Sequence, residues 1–329
     1  IGWPLPLIAS SFILYGLFGQ HIPGEFGHAG IPINSFLGTL IITEGGLWGS
    51  LTGVSVSIVA VFVIFGAILN AGEAGKGFMN IAVAAAGGLK GGAAKVSVLA
   101  SALFGSISGS ASANVASTGM VTLPAMQKLG YPRRVAGAVE AVASTGGQIM
   151  PPLMGAGAFV MVELTGIPYE KIILAALLPA ILYFWTVWVG VNQYADKYDL
   201  KPYTADMLPA RSVVIKTALF FFIPFSILLT VMFSGYTPQF AAAIAILSAA
   251  FLLLIGLDFR FDLRRASKRF VDASLFSGQQ VAMIASIILC ASLIVGVLGI
   301  TGLGIKITSS ILSISGGNLW LALLLTALA

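Results

Sequence analysis

Residues Gly105-Ser-Ile-Ser-Gly-Ser-Ala-Ser-Ala-Asn-Val-Ala-Ser-Thr-Gly119 place a contiguous run of small and hydroxyl-bearing side chains inside the apolar segment 93–128. Working outward, Lys76, Lys90 and Lys95 precede the run, and Lys128, Arg133 and Arg134 follow it. Loops rich in Lys and Arg stay on the cytoplasmic side of a membrane. A segment that leaves and returns on one side is a re-entrant hairpin, and its tip must face protein or a water-filled cavity. Ser108, Ser110, Ser112, the Asn114 amide and bared carbonyls near Gly109 offer uncharged oxygens, which suit a hard monovalent cation. Ser110 or Ser112 is placed to cap the returning half-helix and turn its positive dipole end toward an anion. The alternative is small-residue helix packing, which favours small residues every fourth position over the contiguous Gly109–Asn114 run.

The rest of the chain supplies a membrane. Of 329 residues, 58% are hydrophobic and 9% charged, against roughly 25% charged in soluble domains. Mean hydropathy is +0.99. Seventeen Lys and Arg against twelve Asp and Glu give a net charge of +5. They gather in short loops, which fits membrane flanks and argues against a nucleic-acid partner. The single cysteine, Cys290, excludes a disulfide framework and a cysteine-based zinc site. His21 and His28 read as surface histidines without a third ligand, and no P-loop occurs. An enzyme of this kind would need a polar cluster at membrane depth, and only Glu140 qualifies, so the chain reads as no enzyme. It begins at Ile1 and stops within an apolar run at Ala329, which reads as an internal piece of a longer protein.

A crossing needs roughly 20 apolar residues. Spans of that length are expected near 4–20, 51–70, 171–193, 213–234, 238–257 and 276–299, with a longer stretch at 133–165. The segment 317–329 is too short to cross, and patterns at 74–88, 258–274 and 303–315 read as interfacial connectors. The 21–50 connection, without Lys or Arg, should face outside, as should Ser234–Pro238. Lys197, Lys201 and Arg211 should lie inside, as should Arg260, Arg264, Arg265, Lys268 and Arg269 on a helix touching anionic lipid.

Residues Glu140-Ala-Val-Ala-Ser-Thr-Gly-Gly-Gln-Ile-Met-Pro-Pro152 sit within 133–165. Glycine is favoured past a helix end and proline just inside a helix start. Gly146-Gly147 followed by Pro151-Pro152 therefore reads as a stop, an unwound stretch and a restart, with Ser144, Thr145 and Gln148 at mid-membrane. A plain proline kink is the alternative. Glu140, an intramembrane carboxylate, is either functional or an ion-pair partner of Lys128, Arg133 or Arg134.

Sliding the sequence by 230 residues sets Ile64–Leu89 on Ile294–Leu319, and Gly66, Gly72, Lys76 and Gly87 meet Gly296, Gly302, Lys306 and Gly317. By the loop count Lys76 lies inside and Lys306 outside, so the copies are inverted, a plan shared by many secondary transporters. The expected organisation is a first repeat over 1–195, a cytoplasmic loop over 196–212 and a second repeat over 213–329, incomplete at its own hairpin.

The run Gly91–Asn114, the run Val139–Pro152 and Tyr131-Pro-Arg-Arg134 between them resemble the large membrane subunit of TRAP transporters, the tripartite ATP-independent periplasmic transporters. Their wording is most similar to fused small-plus-large permeases that work with TAXI-type binding proteins. The resemblance implies an all-α, polytopic, elevator-type secondary transporter in a bacterial or archaeal inner membrane. It implies sodium-driven uptake of a small organic anion, most simply a carboxylate, delivered by a periplasmic binding protein, with a four-helix small subunit as second partner. By motif, Ser108, Gly109, Ser110 and Asn114 from the hairpin and Ser144, Thr145, Gly146 and Gly147 from the break would bind sodium. Ser110, Ser112, Asn114, Thr145 and Gln148 would face substrate. Many dicarboxylate and sialic-acid members carry Asp where this chain has Asn114. Rival readings are a proton-coupled permease using Glu140 and a membrane anchor or enzyme subunit without transport activity.

The loop charges make a direct prediction. With Cys290 replaced by serine, single cysteines at Gly24 and Gly235 should react with an impermeant maleimide in intact cells. Cysteines at Lys90, Lys201 and Lys268 should react only after permeabilisation. External labelling at position 201 or 268 would overturn both the orientation and the inverted repeat.

Overall fold

The computed structural model describes residues 2–257 and 261–328. Among them the chain is helical, apart from an isolated bridge between Ile255 and Phe261. The helices are α1 (Pro4–Phe18), α2 (Ile33–Ile42), α3 (Ser50–Val54), α4 (Ala60–Ala71), α5 (Ala74–Ala86), α6 (Gly92–Ser108), α7 (Ala111–Lys128) and α8 (Arg133–Gly146). They continue with α9 (Ala156–Thr165), α10 (Tyr169–Lys197), α11 (Arg211–Phe233), α12 (Pro238–Leu253), α13 (Leu263–Thr301), α14 (Leu303–Ser315) and α15 (Leu319–Leu328). A π-helical turn, Ser55–Val59, joins α3 to α4.

Among the described residues four helical stretches are long and apolar enough to cross a bilayer: Ser50–Ala71, Tyr169–Lys197, Ala205–Phe233 and Leu263–Thr301. The expected spans at 4–20 and 238–257 are shorter helices of 15 and 16 residues, because a 3-10 turn at Gly19–His21 and a chain reversal after Leu253 cut them off. Residues 263–274 of the expected connector and the expected span at 276–299 are instead one 39-residue helix, α13, and positions 258–260 of that connector lie outside the described residues. No glycine or proline interrupts Leu263–Ser277, so nothing stops the helix between the two patterns. Arg260 lies outside the described residues. The 21–50 connection contains α2, whose Phe36 and Leu40 are buried with Val297.

The chain divides into two compact units, Ile1–Val56 with Ala282–Ala329, and Ser57–Val281. In the first, Phe36 presses against Gly16, where a Cβ would stand 2.5 Å from its ring. His28 is half-buried rather than a surface residue: its ring meets Tyr15 edge-on at 5.4 Å, and its Nε2 lies 3.1 Å from the Tyr15 carbonyl. His21 is exposed, as expected.

The second unit holds the hairpin and the broken helix. Here α5 packs on α6 and α11, and α12 covers α4 and α11. Gly66 on α4 lets the Ile107 carbonyl approach to 2.3 Å of where a Cβ would sit. Loops assigned by charge to one side touch one another. Gly91 N–H donates to Leu200 O at 3.3 Å, Tyr203 N–H to Gly87 O at 2.9 Å, and Lys90 pairs with Asp196 at 2.7 Å. On α10, Leu174, Leu178, Leu182 and Trp185 form an exposed apolar stripe, as lipid contact requires.

Glu73, only 4% exposed, immediately precedes α5 and pairs with Arg269 of α13 and, at 3.0 Å, with Lys76. Burial pushes its carboxyl up, but hydrogen bonds and charge from Lys76 and Arg269 outweigh burial and hold it below 4.5. A lowered carboxyl pKa contributes stability above the unfolded value and loses it as pH falls through the folded one. Arg269→Leu should therefore cost about 3–5 kcal/mol at neutral pH, the price of leaving a buried charge short of its partner. Thermal unfolding of detergent-purified full-length protein should show that deficit narrowing as pH drops below 4.5. A constant deficit would mean that Arg269 acts by packing alone.

Candidate functional site

The hairpin forms as its sequence requires. Gly109 ends α6 in a left-handed conformation (φ 59°), open to glycine without strain, and Ser110 then caps α7 by accepting from Ala113 N–H at 3.4 Å. Its two limbs run back to back: the Tyr131 hydroxyl accepts from Ala94 N–H, and the Asn114 amide donates to Ser101 O at 2.9 Å. Both ends of the segment thus lie together.

The break follows. From Gly147 to Met150, four successive N–H groups bond three residues back, to Ser144, Thr145, Gly146 and Gly147, so the end of α8 tightens and unwinds. Gly155 N–H returns to Gln148 O at 2.8 Å, closing a loop that contains the cis peptide Pro151–Pro152. The helix resumes at Ala156, five residues beyond Pro151, where the Pro-Pro reading places the restart. The prolines lie inside the break because Leu153 N–H is drawn to Ser106 O on the hairpin, 3.3 Å away. The Tyr169 hydroxyl also donates to the Pro152 carbonyl.

Tip and break are pressed together where only glycine fits. A Cβ on Gly105 would stand 2.3 Å from Gly147 Cα, and one on Gly109 would stand 1.7 Å from Met154 O. The predicted residues separate into two groups. Ser108, Gly109 and Ser110 are half-exposed at the tip, while Ser112, Thr145 and Gln148 are exposed. Asn114 and Ser144 are fully buried, and Gly146 and Gly147 are buried beside them. The Asn114 amide is engaged with Ser101 O and, at 3.5 Å, with Ser144 O, so it ties both limbs to the broken helix. Thr145 bonds its own helix at Ala141 O.

Sequence reasoning missed the seam beneath this rim. Glu140, 1% exposed, accepts from Ser97 at 2.8 Å, Thr118 and Thr122 at 2.5 Å and Ser144 at 3.4 Å. Ser101 adds contacts to Thr118 and Ser144 at 3.4 Å each. The signal was present as helical spacing: 97 and 101, then 114, 118 and 122, then 140 and 144, each four apart. Among the described residues no basic side chain lies in salt-bridge reach of Glu140. Hydroxyls replace the expected Lys128, Arg133 or Arg134 partner.

Two of these hydroxyls also have a backbone partner, Thr118 at Asn114 O, 2.8 Å away, and Thr122 at Thr118 O, 3.0 Å away.

A tip of small residues lodged against an unwound helix, among apolar helices, is the architecture of a membrane transport protein. The chain belongs to the family "Tripartite ATP-independent periplasmic transporter, DctM component", whose profile covers residues 1–329. This is a family of multi-pass inner-membrane permease components and not of enzymes. An uncharacterised protein of Sinorhizobium fredii is 25% identical over 233 residues, 69% of this chain and 53% of its own length. The C4-dicarboxylate TRAP transporter large permease protein DctM of Pseudomonas aeruginosa is 28% identical over 194 residues, 59% of this chain and 45% of its own. The isethionate TRAP transporter permease protein DctMQ of Oleidesulfovibrio alaskensis is 26% identical over 151 residues, 45% of this chain and 24% of its own. The chain thus spans about half or less of the curated relatives it matches.

The seam predicts unequal costs. In full-length permease, Glu140→Gln keeps shape and hydrogen bonds and should unfold near the wild-type temperature. Glu140→Leu orphans Ser97 and should cost about 1–3 kcal/mol. Equal melting temperatures for the two variants, measured in detergent, would show that the hydroxyl cluster contributes nothing.

Proposed function

We propose that the permease to which this chain belongs couples inward sodium flow to uptake of a small organic anion received from a periplasmic binding protein. One observation carries the reading: the hairpin tip and the break meet through glycines, with neutral oxygens from both at the contact. Sodium, as coupling ion and cargo, would lie among Ser108, Gly109, Ser110, Asn114, Ser144, Thr145, Gly146 and Gly147. Within that set, Asn114 and Ser144 shape the cradle, because their side chains are already engaged. The exposed Ser112, Thr145 and Gln148, with Ser110, would face substrate. The α7 dipole, opened at Ser110, supplies positive potential for a carboxylate. Two relatives carry a C4-dicarboxylate and isethionate in their names, both small organic anions.

The inverted repeat and the elevator movement belong to the same proposal. Helix ends support the repeat: α4 ends at Ala71 and α13 at Thr301, 230 residues apart, and α5 and α14, each of 13 residues, are offset by 229. The TAXI-type binding protein and the four-helix small subunit are the partners this reading requires.

The test uses full-length transporter in proteoliposomes. Asn114→Ala should raise the sodium concentration for half-maximal uptake by up to about a hundredfold, the equivalent of roughly 1–3 kcal/mol for a lost buried polar interaction. Glu140→Gln should leave sodium dependence unchanged. The proton-coupled reading rests on the buried Glu140 carboxyl, which has hydroxyl partners and no basic one among the described residues. Uptake that follows a proton gradient and disappears in Glu140→Gln would establish it instead.

A further inference from the structure

Away from the hairpin tip, α8 and α10 enclose a groove of about 510 Å³ within the second unit. Its two ends differ in chemistry. At one end stand Arg134, the second residue of α8, and Lys197, the last of α10, and Tyr194 and Tyr198 line the same groove. The two tyrosine rings stack at 6.1 Å, nearly parallel, and the Lys197 ammonium stands 5.7 Å over Tyr198. Among the described residues neither Arg134 nor Lys197 has a carboxylate in salt-bridge reach. Of the nearby acids, Asp196 is taken by Lys90 at 2.7 Å, and Asp199 also acts electrostatically on Lys90.

Away from that end the groove is apolar, lined by Ala138, Val142, Val187 and Gly190. Gly190 lies two helical turns from Lys197, roughly 10 Å along the axis, and Val142 lies roughly 12 Å from Arg134. A Cβ on Gly190 would meet nothing within 4 Å, so glycine leaves the groove floor open. The groove therefore runs along the last turns of a 29-residue apolar helix whose exposed stripe belongs in lipid. Tyrosines and basic side chains gather where such a helix reaches the headgroup layer.

We propose that this groove binds one anionic phospholipid, its phosphodiester held by Arg134 and Lys197 and an acyl chain lying over Gly190. Charge complementarity selects the occupant: two unpaired cations need a negative group, and the apolar run beyond them needs a hydrocarbon attached to it. A free phosphate would satisfy only the first requirement. A helix of a partner subunit would fill the groove but exclude lipid. The site is distinct from the sodium and substrate rim, and it requires only that the protein lie in a membrane.

The experiment uses full-length permease in nanodiscs with spin-labelled phosphatidylglycerol or phosphatidylcholine, reading the immobilised fraction of each by electron paramagnetic resonance. Wild type should prefer phosphatidylglycerol. Each of Arg134→Gln and Lys197→Gln should lower that preference about fivefold, the worth of one basic side chain near an anionic leaflet. Both side chains are exposed, so neither change threatens the fold. Gly190→Leu should release phosphatidylglycerol with both cations intact, because it fills the groove without meeting a neighbour. Three results would overturn the proposal. One is a phosphatidylglycerol preference that Arg134→Gln and Lys197→Gln leave unchanged, or no such preference in wild type, as expected if a partner helix covers the groove. Another is an unchanged Gly190→Leu. The third is displacement of phosphatidylglycerol from wild type by millimolar inorganic phosphate, which would mark a phosphate site without a lipid chain.

Discussion

Every interrupted helix in a membrane bares backbone and polar groups that lipid cannot satisfy, and the rest of this protein is arranged around meeting that demand at one seam. Two interruptions, the hairpin tip at Gly109 and the break after Gly146, are brought to the same place and satisfy one another. Leu153 N–H reaches Ser106 O across the two, and the Asn114 amide reaches carbonyls on both. Beneath them Glu140 collects hydroxyls from α6, α7 and α8. Neither interruption is tolerable alone; together they form a polar site at the centre of an apolar fold.

Close approach makes that exchange possible, and glycine makes the approach possible. The contact between Gly105 and Gly147 leaves no room for a Cβ on either residue, and Gly66 admits the Ile107 carbonyl in the same way. The hydroxyl seam follows from the same closeness: Glu140 is met by side chains of α6, α7 and α8 and needs no basic partner.

Electrostatics organises the ends of the helices as packing organises their middles. Lys90 with Asp196 and Glu73 with Arg269 tie together segments that are far apart in sequence but share a sign of loop charge. Arg134 and Lys197 are different, because no carboxylate answers them. Cations left unpaired beside an apolar groove mark a surface shaped for something outside the chain.

Composition and periodicity determined that the chain is helical and apolar, where the hairpin lies and that the segment 133–165 is broken. These are local facts: a small-residue run, a Gly-Gly stop and a Lys/Arg alternation act over a few residues and are legible one segment at a time. The tertiary structure decided where the break ends, since the restart at Ala156 rather than Pro151 depends on a hydrogen bond to Ser106, 47 residues before Leu153. It also decided that α13 runs unbroken and that Asn114 is a buried tie. Glu140 answers to Ser97, Thr118, Thr122 and Ser144 for the same reason. A polar residue spaced at i and i+4 announces a face, but which faces meet is set by the packing of three helices. No single segment carries that information.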